Sequence, residues 1–214
     1  MIVSERIKDY LDSLSPGNSA LIEKIREEAL KDRIPILRRD TEELLKTLLV
    51  MKRPRRILEI GTAVGYSALV MASVIEEDAS ITTLEIGEAD HRKAVNNIAL
   101  AGKTDQITCL LTDAGEYLKN TVCEYDFIFL DAAKAQYINW LPDIVRCLPI
   151  GGVLLSDNVL LEGTVAESRF ALDRRERTAH ERMRRFLFEI THREDLQTSV
   201  LPAGDGASIS IRTR

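Results

Sequence analysis

Residues 57–67, ILEIGTAVGYS, are the part of the chain that most strongly indicates its fold class. It consists of a short apolar run, a turn with two glycines and the opening of a helix. Gly61 allows a sharp backbone turn, and Gly65 allows a helix or a ligand to approach closely. The free N–H groups at the start of the helix favour a carboxylate or phosphate. The glycine spacing is G-x-x-x-G rather than G-x-G-x-x-G, which disfavours a pyrophosphate cradle.

Short apolar runs alternate with helical patterns after this stretch. The predicted strands are residues 57–60, 80–84, 107–111, 126–130 and 152–156, followed by 198–201 and 207–212 around a turn-rich connection. Apolar strands separated by helices are typical of a parallel sheet covered on both faces, and the last pair predicts an antiparallel edge. Three helices are expected before the first strand, the third of them beginning at the capping residue Thr41.

Length and composition indicate one soluble domain. The chain has 214 residues, of which 45% are hydrophobic and 29% charged, and we expect N-terminal helices in 1–55 and an α/β core in 56–214. No apolar run approaches the ~18 residues of a membrane span. Because the start, MIVSERIKDY, is charged where a signal peptide is apolar, we expect a cytoplasmic protein without a membrane partner.

Charge is distributed unevenly along the chain. Residues 57–168 carry 6 Lys and Arg against 17 Asp and Glu, whereas the segments before and after each have a net charge of +3. The overall net charge of −5 argues against nonspecific polyanion binding but leaves room for a local basic patch.

Cysteines and histidines show no metal-ligand spacing. We expect buried free thiols at Cys109, Cys123 and Cys147. We expect surface positions for His91, His180 and His192.

Acidic residues stand where an adenosine cofactor would need them. Glu85 ends the second predicted strand, where a carboxylate can accept both ribose hydroxyls, and Asp113-Ala114 follow the third strand near the adenine edge. Together with the glycine turn they suggest S-adenosylmethionine, although each feature alone is also found in purely structural turns. Glu59 is unusual in an apolar strand, since a buried carboxylate needs donors such as an ammonium group or loop N–H groups.

Two further strands end in oxygen-bearing side chains: Asp131, Asp157 and Asn158. The carboxyl ends of neighbouring parallel strands face one crevice, so these side chains are expected to converge. An all-oxygen set selects a hard divalent cation, with Mg²⁺ the first choice and Mn²⁺ or Ca²⁺ as alternatives. The other interpretation is that Asp157 and Asn158 only open a loop.

Several motifs occur in the order ILEIGTAVGYS, TLEIGE, DAGEYL, YDFIFLDAAKAQY and GGVLLSDNVL. In this the chain resembles the cation-dependent O-methyltransferases, the family that includes caffeoyl-CoA and catechol O-methyltransferases. The resemblance extends from Ile34 to the C-terminal LPAGDGASISI. It implies the class I methyltransferase fold, which is Rossmann-like with a mixed seven-stranded sheet whose last strand is antiparallel, and a homodimer.

The resemblance also implies site residues. Metal ligation would fall to Asp131, Asp157 and Asn158. Lys134, three residues after Asp131, would remove the substrate proton or stabilise the oxyanion, the alternative being a solvated lysine. Cofactor contacts are implied at Leu37, Glu59, Gly61, Ser67, Glu85, Asp113, Ala114 and Asp131.

Within the family, the chain is most similar to a bacterial branch that methylates 5-hydroxyuridine in tRNA anticodon loops to 5-methoxyuridine. The shared features are AVNNI, DAAKAQY, DNVLLEGTVAE and the Arg-rich segment after it. That similarity implies substrate contacts at Arg174, Arg175 and Arg177, although Glu176 interrupts the run.

Other interpretations of these segments stay open. Residues 169–185, with seven Arg and three acids, also fit an amphipathic surface helix. Tyr137 and Trp140 could stack a base or only pack a helix. A catechol-type small molecule is the alternative substrate. A non-catalytic cofactor-binding or RNA-binding module is disfavoured because every acid that the chemistry needs is present.

Overall fold

Seven strands form one sheet in the computed structural model, which describes residues 4–214. The spatial order is β3-β2-β1-β4-β5-β7-β6, with β1 to β5 parallel and β7 antiparallel to both of its neighbours. The predicted mixed sheet is therefore confirmed. The strands are β1 (Arg56–Ile60), β2 (Ser80–Glu85), β3 (Ile107–Leu111), β4 (Phe127–Leu130), β5 (Val153–Ser156), β6 (Leu196–Leu201) and β7 (Ala207–Arg212).

Within the described residues 4–214, three helices precede the sheet, as predicted, and five follow its first strand. They are α1 (Glu5–Leu14), α2 (Ala20–Lys31), α3 (Arg39–Lys52), α4 (Tyr66–Ala72), α5 (Glu88–Leu100), α6 (Ala114–Asn120), α7 (Tyr137–Cys147) and α8 (Arg177–His192). Two 3-10 helices cover Lys134–Gln136 and Leu161–Ala166. The predicted cap at Thr41 is wrong, because α3 begins earlier and Thr41 is buried inside it. Asp40 accepts a hydrogen bond from the Gly204 N–H at 2.6 Å, a tertiary contact to the β6–β7 turn.

The strands bury side chains on both faces. Phe127 and Phe129 of β4 pack in the cluster that includes α2, α3 and α4, while Ile128 and Leu130 pack in the cluster with α6, α7 and α8. This alternation follows the two-residue period of a strand. The carboxyl ends of β1, β2, β4 and β5 are thereby held at one edge between two packed layers. No helix within residues 4–214 is both long and apolar enough to cross a bilayer.

Two sequence-based predictions of exposure are wrong. His180 is only 3% exposed, because it lies on the stripe with Met183 and Phe186 that α8 turns toward the core. Cys123 is exposed, since it lies in the connection between α6 and β4. All three cysteines are free, with Cys147 buried and Cys109 half-buried.

Candidate functional site

A cavity of about 1240 Å³ lies at the carboxyl ends of the parallel strands. It brings together nearly all the residues that the sequence assigned to cofactor, metal and proton transfer. Those that line it are Leu37, Gly61, Ser67, Glu85, Asp113, Ala114, Asp131, Lys134, Asp157 and Asn158. Glu59 does not line it, because this residue lies inside β1 and is 0% exposed.

The glycine turn packs against backbone on two sides. Gly61 has φ +106°, and a Cβ there would overlap the carbonyl oxygen of Asp131. Gly65 has φ +81°, and a Cβ there would lie 3.3 Å from Ala94 of α5. Only glycine combines these backbone angles with such close approaches. Gly61 thus holds the turn directly against the end of β4.

Two acids proposed for the adenosine also organise their own loops. Glu85 accepts hydrogen bonds from the N–H groups of Ala63 at 2.8 Å and Gly87 at 2.7 Å, which ties the glycine turn to the end of β2. Asp113 caps α6 by accepting from the N–H of Glu116 at 2.9 Å. A carboxylate oxygen can accept more than one hydrogen bond, so these contacts leave acceptor capacity on the cavity wall.

Glu59 has a buried carboxylate, and one of its two oxygens lacks a hydrogen-bond donor among residues 4–214. Its Oε2 accepts a hydrogen bond from the hydroxyl of Thr83, whereas Oε1 has no partner within residues 4–214. Burial raises the pKa of Glu59 to about 8. The sequence-based expectation that this acid needs a further donor agrees with the orphaned oxygen.

Replacing Glu59 with Gln is expected to flatten the pH dependence of stability. The folded-state pKa of about 8 lies above the ordinary value of 4.5, so protonation stabilises the fold and this contribution is lost as pH rises. The urea midpoint of the unmodified chain should fall between about pH 5 and about pH 8, the interval between the two pKa values, and that of Glu59→Gln should fall less. Glu124→Gln, at an exposed position, serves as the control. If the urea midpoints of Glu59→Gln and Glu124→Gln change equally with pH, the prediction is contradicted.

The residues proposed as metal ligands lie at adjacent strand ends. Leu130 of β4 pairs with Ser156 of β5, and the Asp157 N–H donates to the Leu130 carbonyl at 3.0 Å, so Asp131 and Asp157 are neighbours. Burial, together with the Asp131 carboxylate, raises the pKa of Asp157 to about 7. Asn158 lines the same cavity with φ +55°.

Larger clusters of ligating side chains are absent from residues 4–214. In the described chain, no group of three or more His, Cys, Asp or Glu side chains is arranged to hold a metal. The ligands proposed from the sequence are Asp131, Asp157 and Asn158. Only two of them are carboxylates and the third is an amide, so they do not form a cluster of three His, Cys, Asp or Glu side chains.

Lys134 and Tyr137 complete this corner of the cavity. The Lys134 ammonium donates to Asp131 Oδ1 at 2.7 Å and to the Tyr137 hydroxyl at 3.3 Å. The Tyr137 hydroxyl also lies 3.1 Å from the Leu130 carbonyl and 3.2 Å from the Asp157 carbonyl. Tyr137 is fully buried, so it joins the ends of β4 and β5 instead of stacking a base. Trp140 is half-buried and lines the cavity.

Sequence reasoning missed a buried charge network beside the cavity. Glu42 is 0% exposed and contacts Lys46 at 2.8 Å and the Tyr66 hydroxyl at 2.5 Å. Although burial opposes it, these contacts hold the pKa of Glu42 below its ordinary value. Arg26 donates to the Tyr66 hydroxyl at 3.3 Å and to the Leu37 carbonyl at 3.0 Å, so the network links two parts of the cavity wall. The four-residue spacing of Glu42 and Lys46 by itself indicates only a surface pair.

The arginines assigned to substrate binding do not line this cavity. Arg174 and Arg175 are exposed in the segment before α8. Arg177 begins α8, and its Nε donates to the Leu172 carbonyl at 3.1 Å. The 3-10 helix at Leu161–Ala166 and the following loop separate them along the chain from Asn158.

Several known proteins are similar to this chain in sequence and in fold. A family model described as O-methyltransferase matches residues 12–213. A caffeoyl-CoA O-methyltransferase from Populus kitakamiensis is 29% identical over 181 residues, which cover 78% of this chain and 76% of that protein. A Staphylococcus aureus structure with the provisional name caffeoyl-CoA O-methyltransferase is 33% identical, with a TM-score of 0.89 over 96% of this chain and 98% of that chain. The O-methyltransferase TomG from Streptomyces achromogenes, solved with SAM, shares the fold at 24% identity, with a TM-score of 0.85 over 100% of both chains.

Proposed function

This chain belongs to the O-methyltransferase family, and from that premise we propose that it transfers a methyl group from S-adenosylmethionine to a substrate oxygen beside a divalent cation. The observation that carries the proposal is the single cavity in which the glycine turn and the Asp131–Asp157 corner meet. A site for a methyl donor and a site for an oxygen substrate thereby share one wall.

The cofactor end of the cavity fits an adenosine with an amino acid tail. The orphaned Oε1 of Glu59 suits an ammonium group, and the start of α4 with Ser67 suits a carboxylate. Glu85, on the cavity wall, would accept hydrogen bonds from the ribose hydroxyls. Leu37, Asp113 and Ala114 would contact the remainder of the molecule. When bound, S-adenosylmethionine supplies the methyl group.

The other end fits a hard cation. Asp131 and Asp157 repel each other, and the buried Asp157 has little solvent to screen it. Two carboxylates and the amide of Asn158 are the oxygen donors that Mg²⁺ prefers, and Mn²⁺ or Ca²⁺ would also accept them. When bound, the cation lowers the pKa of a substrate hydroxyl and fixes its direction.

The chain's own side chains set the geometry of the transfer. Lys134 is held by Asp131 and Tyr137. Its ammonium would stabilise the developing oxyanion, whereas only its neutral amine would accept the substrate proton. Tyr137 keeps the ends of β4 and β5 together. Gly61 places the turn against Asp131, so donor and acceptor sites keep a constant separation.

We propose 5-hydroxyuridine in the tRNA anticodon loop as the substrate. Its 5-hydroxyl and 4-carbonyl oxygens are adjacent and would present a pair to one cation. The sequence similarity described above and the basic segment around α8 support this choice. A catechol-type small molecule offers the same oxygen pair, and the names of the caffeoyl-CoA relatives favour it as the second candidate.

Nucleoside analysis separates the two candidates. In cells that lack this protein, mass spectrometry of digested tRNA is expected to show loss of 5-methoxyuridine and accumulation of 5-hydroxyuridine. The unmodified gene should restore the modification, and an Asp157→Ala gene should not. Unchanged 5-methoxyuridine would reject the tRNA substrate, and methylation of a catechol by the purified protein would then support the second candidate.

Arginine variants supply a second arm of this test. Arg174 and Arg175 are exposed and form no hydrogen bond or ion pair with any described residue, so truncation should not disturb folding. The double alanine variant is expected to weaken tRNA methylation in a salt-dependent way, with the salt slope reduced by about 2, and to leave catechol methylation unchanged. A double alanine variant of the exposed Lys31 and Arg56 is the control for lost charge.

A further inference from the structure

A second cavity of about 540 Å³ lies between α8 and the loop that follows the 3-10 helix Leu161–Ala166. It shares no lining residue with the larger cavity. Its polar lining includes His180 and the three arginines Arg169, Arg184 and Arg185. The methyl-transfer chemistry described above uses none of these residues.

His180 is the feature that calls for a ligand here. Its side chain lines the cavity and is 97% buried, since its exposure is 3%. Neither Nδ1 nor Nε2 has a hydrogen-bond partner within residues 4–214. An unpaired buried polar group costs on the order of 1–3 kcal/mol, which an apolar residue on the same helix face would avoid. A ligand that accepts a hydrogen bond would satisfy a ring N–H of this imidazole.

The charges around His180 select an anion. The Arg185 side chain forms no hydrogen bond or ion pair with any described residue, and Arg184 uses Nη1 for the Val165 carbonyl at 2.6 Å, which leaves its other guanidinium donors free. Arg169 lies 3.5 Å from Glu181, an exposed pair that water screens. Three guanidinium groups therefore face two carboxylates, those of Glu167 and Glu181. Guanidinium forks match the oxygens of a phosphate group.

We propose that this cavity binds a phosphate group, and that in the reaction it holds a backbone phosphate of the RNA substrate. The second half of this assignment rests on the proposed tRNA substrate. The net charge of −5 disfavours nonspecific attraction to RNA, so a built phosphate site would be needed to orient such a substrate.

The position of the cavity fits that use. Helix α8 packs against both 3-10 helices, which follow Asp131 and Asn158 along the chain. Arg182 donates to the Ala135 carbonyl at 3.2 Å, directly next to Lys134. A phosphate held by α8 would therefore be fixed relative to the reacting corner of the larger cavity.

Titration with inorganic phosphate tests the site without RNA. In protein labelled with ¹⁵N-histidine, we expect phosphate to shift one set of imidazole signals saturably, namely the set that is missing from His180→Leu. Arg185→Ala should need several-fold more phosphate for the same shift. A shift that does not saturate, or that is unchanged in Arg185→Ala, would overturn the phosphate site.

Binding of tRNA tests the RNA assignment. Arg185→Ala and His180→Leu are expected to weaken tRNA binding by roughly 3- to 10-fold, with the salt slope of Arg185→Ala shallower by about 1. His180→Leu should unfold at or above the temperature of the unmodified chain, because it removes an unpaired buried polar group. Arg56→Ala, far from either cavity lining, is the control.

The two tests fail in different ways. Suppose that phosphate shifts the imidazole signals saturably while Arg185→Ala and His180→Leu bind tRNA as tightly as Arg56→Ala does. That pair of results would identify a site for free phosphate and overturn the RNA assignment. Failure of the tRNA substrate itself would instead appear in the nucleoside digests, on which the phosphate titration does not depend.

Discussion

Replacing Asp157 with alanine is expected to slow methyl transfer by on the order of 1000-fold, while binding of S-adenosylmethionine changes little. Asp157 is the buried member of the carboxylate pair, and its backbone lies at the end of β5, away from the glycine turn. A cation that polarises a substrate oxygen contributes several kcal/mol to the rate, and ~4 kcal/mol corresponds to about 1000-fold.

Single-turnover methyl transfer and calorimetric cofactor binding measure the two effects separately. Asp157→Ala should also remain folded, because burial beside Asp131 raises the pKa of this carboxyl and its ionised form does not stabilise the fold at neutral pH. The exposed Asp105→Ala is the control for loss of one carboxylate. Full activity of Asp157→Ala in metal-depleted buffer would reject the cation mechanism.

Replacing Gly61 with alanine is expected to destabilise the fold by about 3 kcal/mol or more and to abolish transfer. The added Cβ would overlap the carbonyl oxygen of Asp131. Because this oxygen belongs to the backbone, no side-chain rotation can relieve the overlap. The overlap can be removed only if the glycine turn or the end of β4 moves. Both segments line the cavity, so either movement would displace site residues.

Gly102→Ala is the matched control for this change. Gly102 also has a positive φ, +64°, but a Cβ there has nothing within 4 Å. Its replacement should cost only the conformational strain of about 1–2 kcal/mol. Urea unfolding of both variants and methyl transfer by the folded fraction measure the difference. Equal destabilisation of the two variants would contradict the role assigned to Gly61.

Local sequence patterns are sufficient to predict the sheet and the corner of the cavity where Asp131 and Asp157 meet. Because successive side chains of a strand point to opposite faces, continuously apolar strands must be buried on both faces, and parallel strands place their carboxyl ends at one edge. Asp131 and Asp157 directly follow such strands, so local pattern alone predicts that they are neighbours. The glycine turn can also be predicted from local sequence, because few residues other than glycine adopt the positive φ that this turn requires.

Which side chains of the other elements reach a cavity depends on how the whole chain packs. Arg174 and Arg175 follow Asp157 and Asn158 in sequence yet lie outside the larger cavity, whereas His180, expected at the surface, is buried with no side-chain partner in the described chain. Glu42 and Tyr137 likewise acquire their partners from distant segments. The rotation of a helix about its axis and the contacts between segments far apart in sequence depend on packing of the whole chain, and no local pattern encodes them.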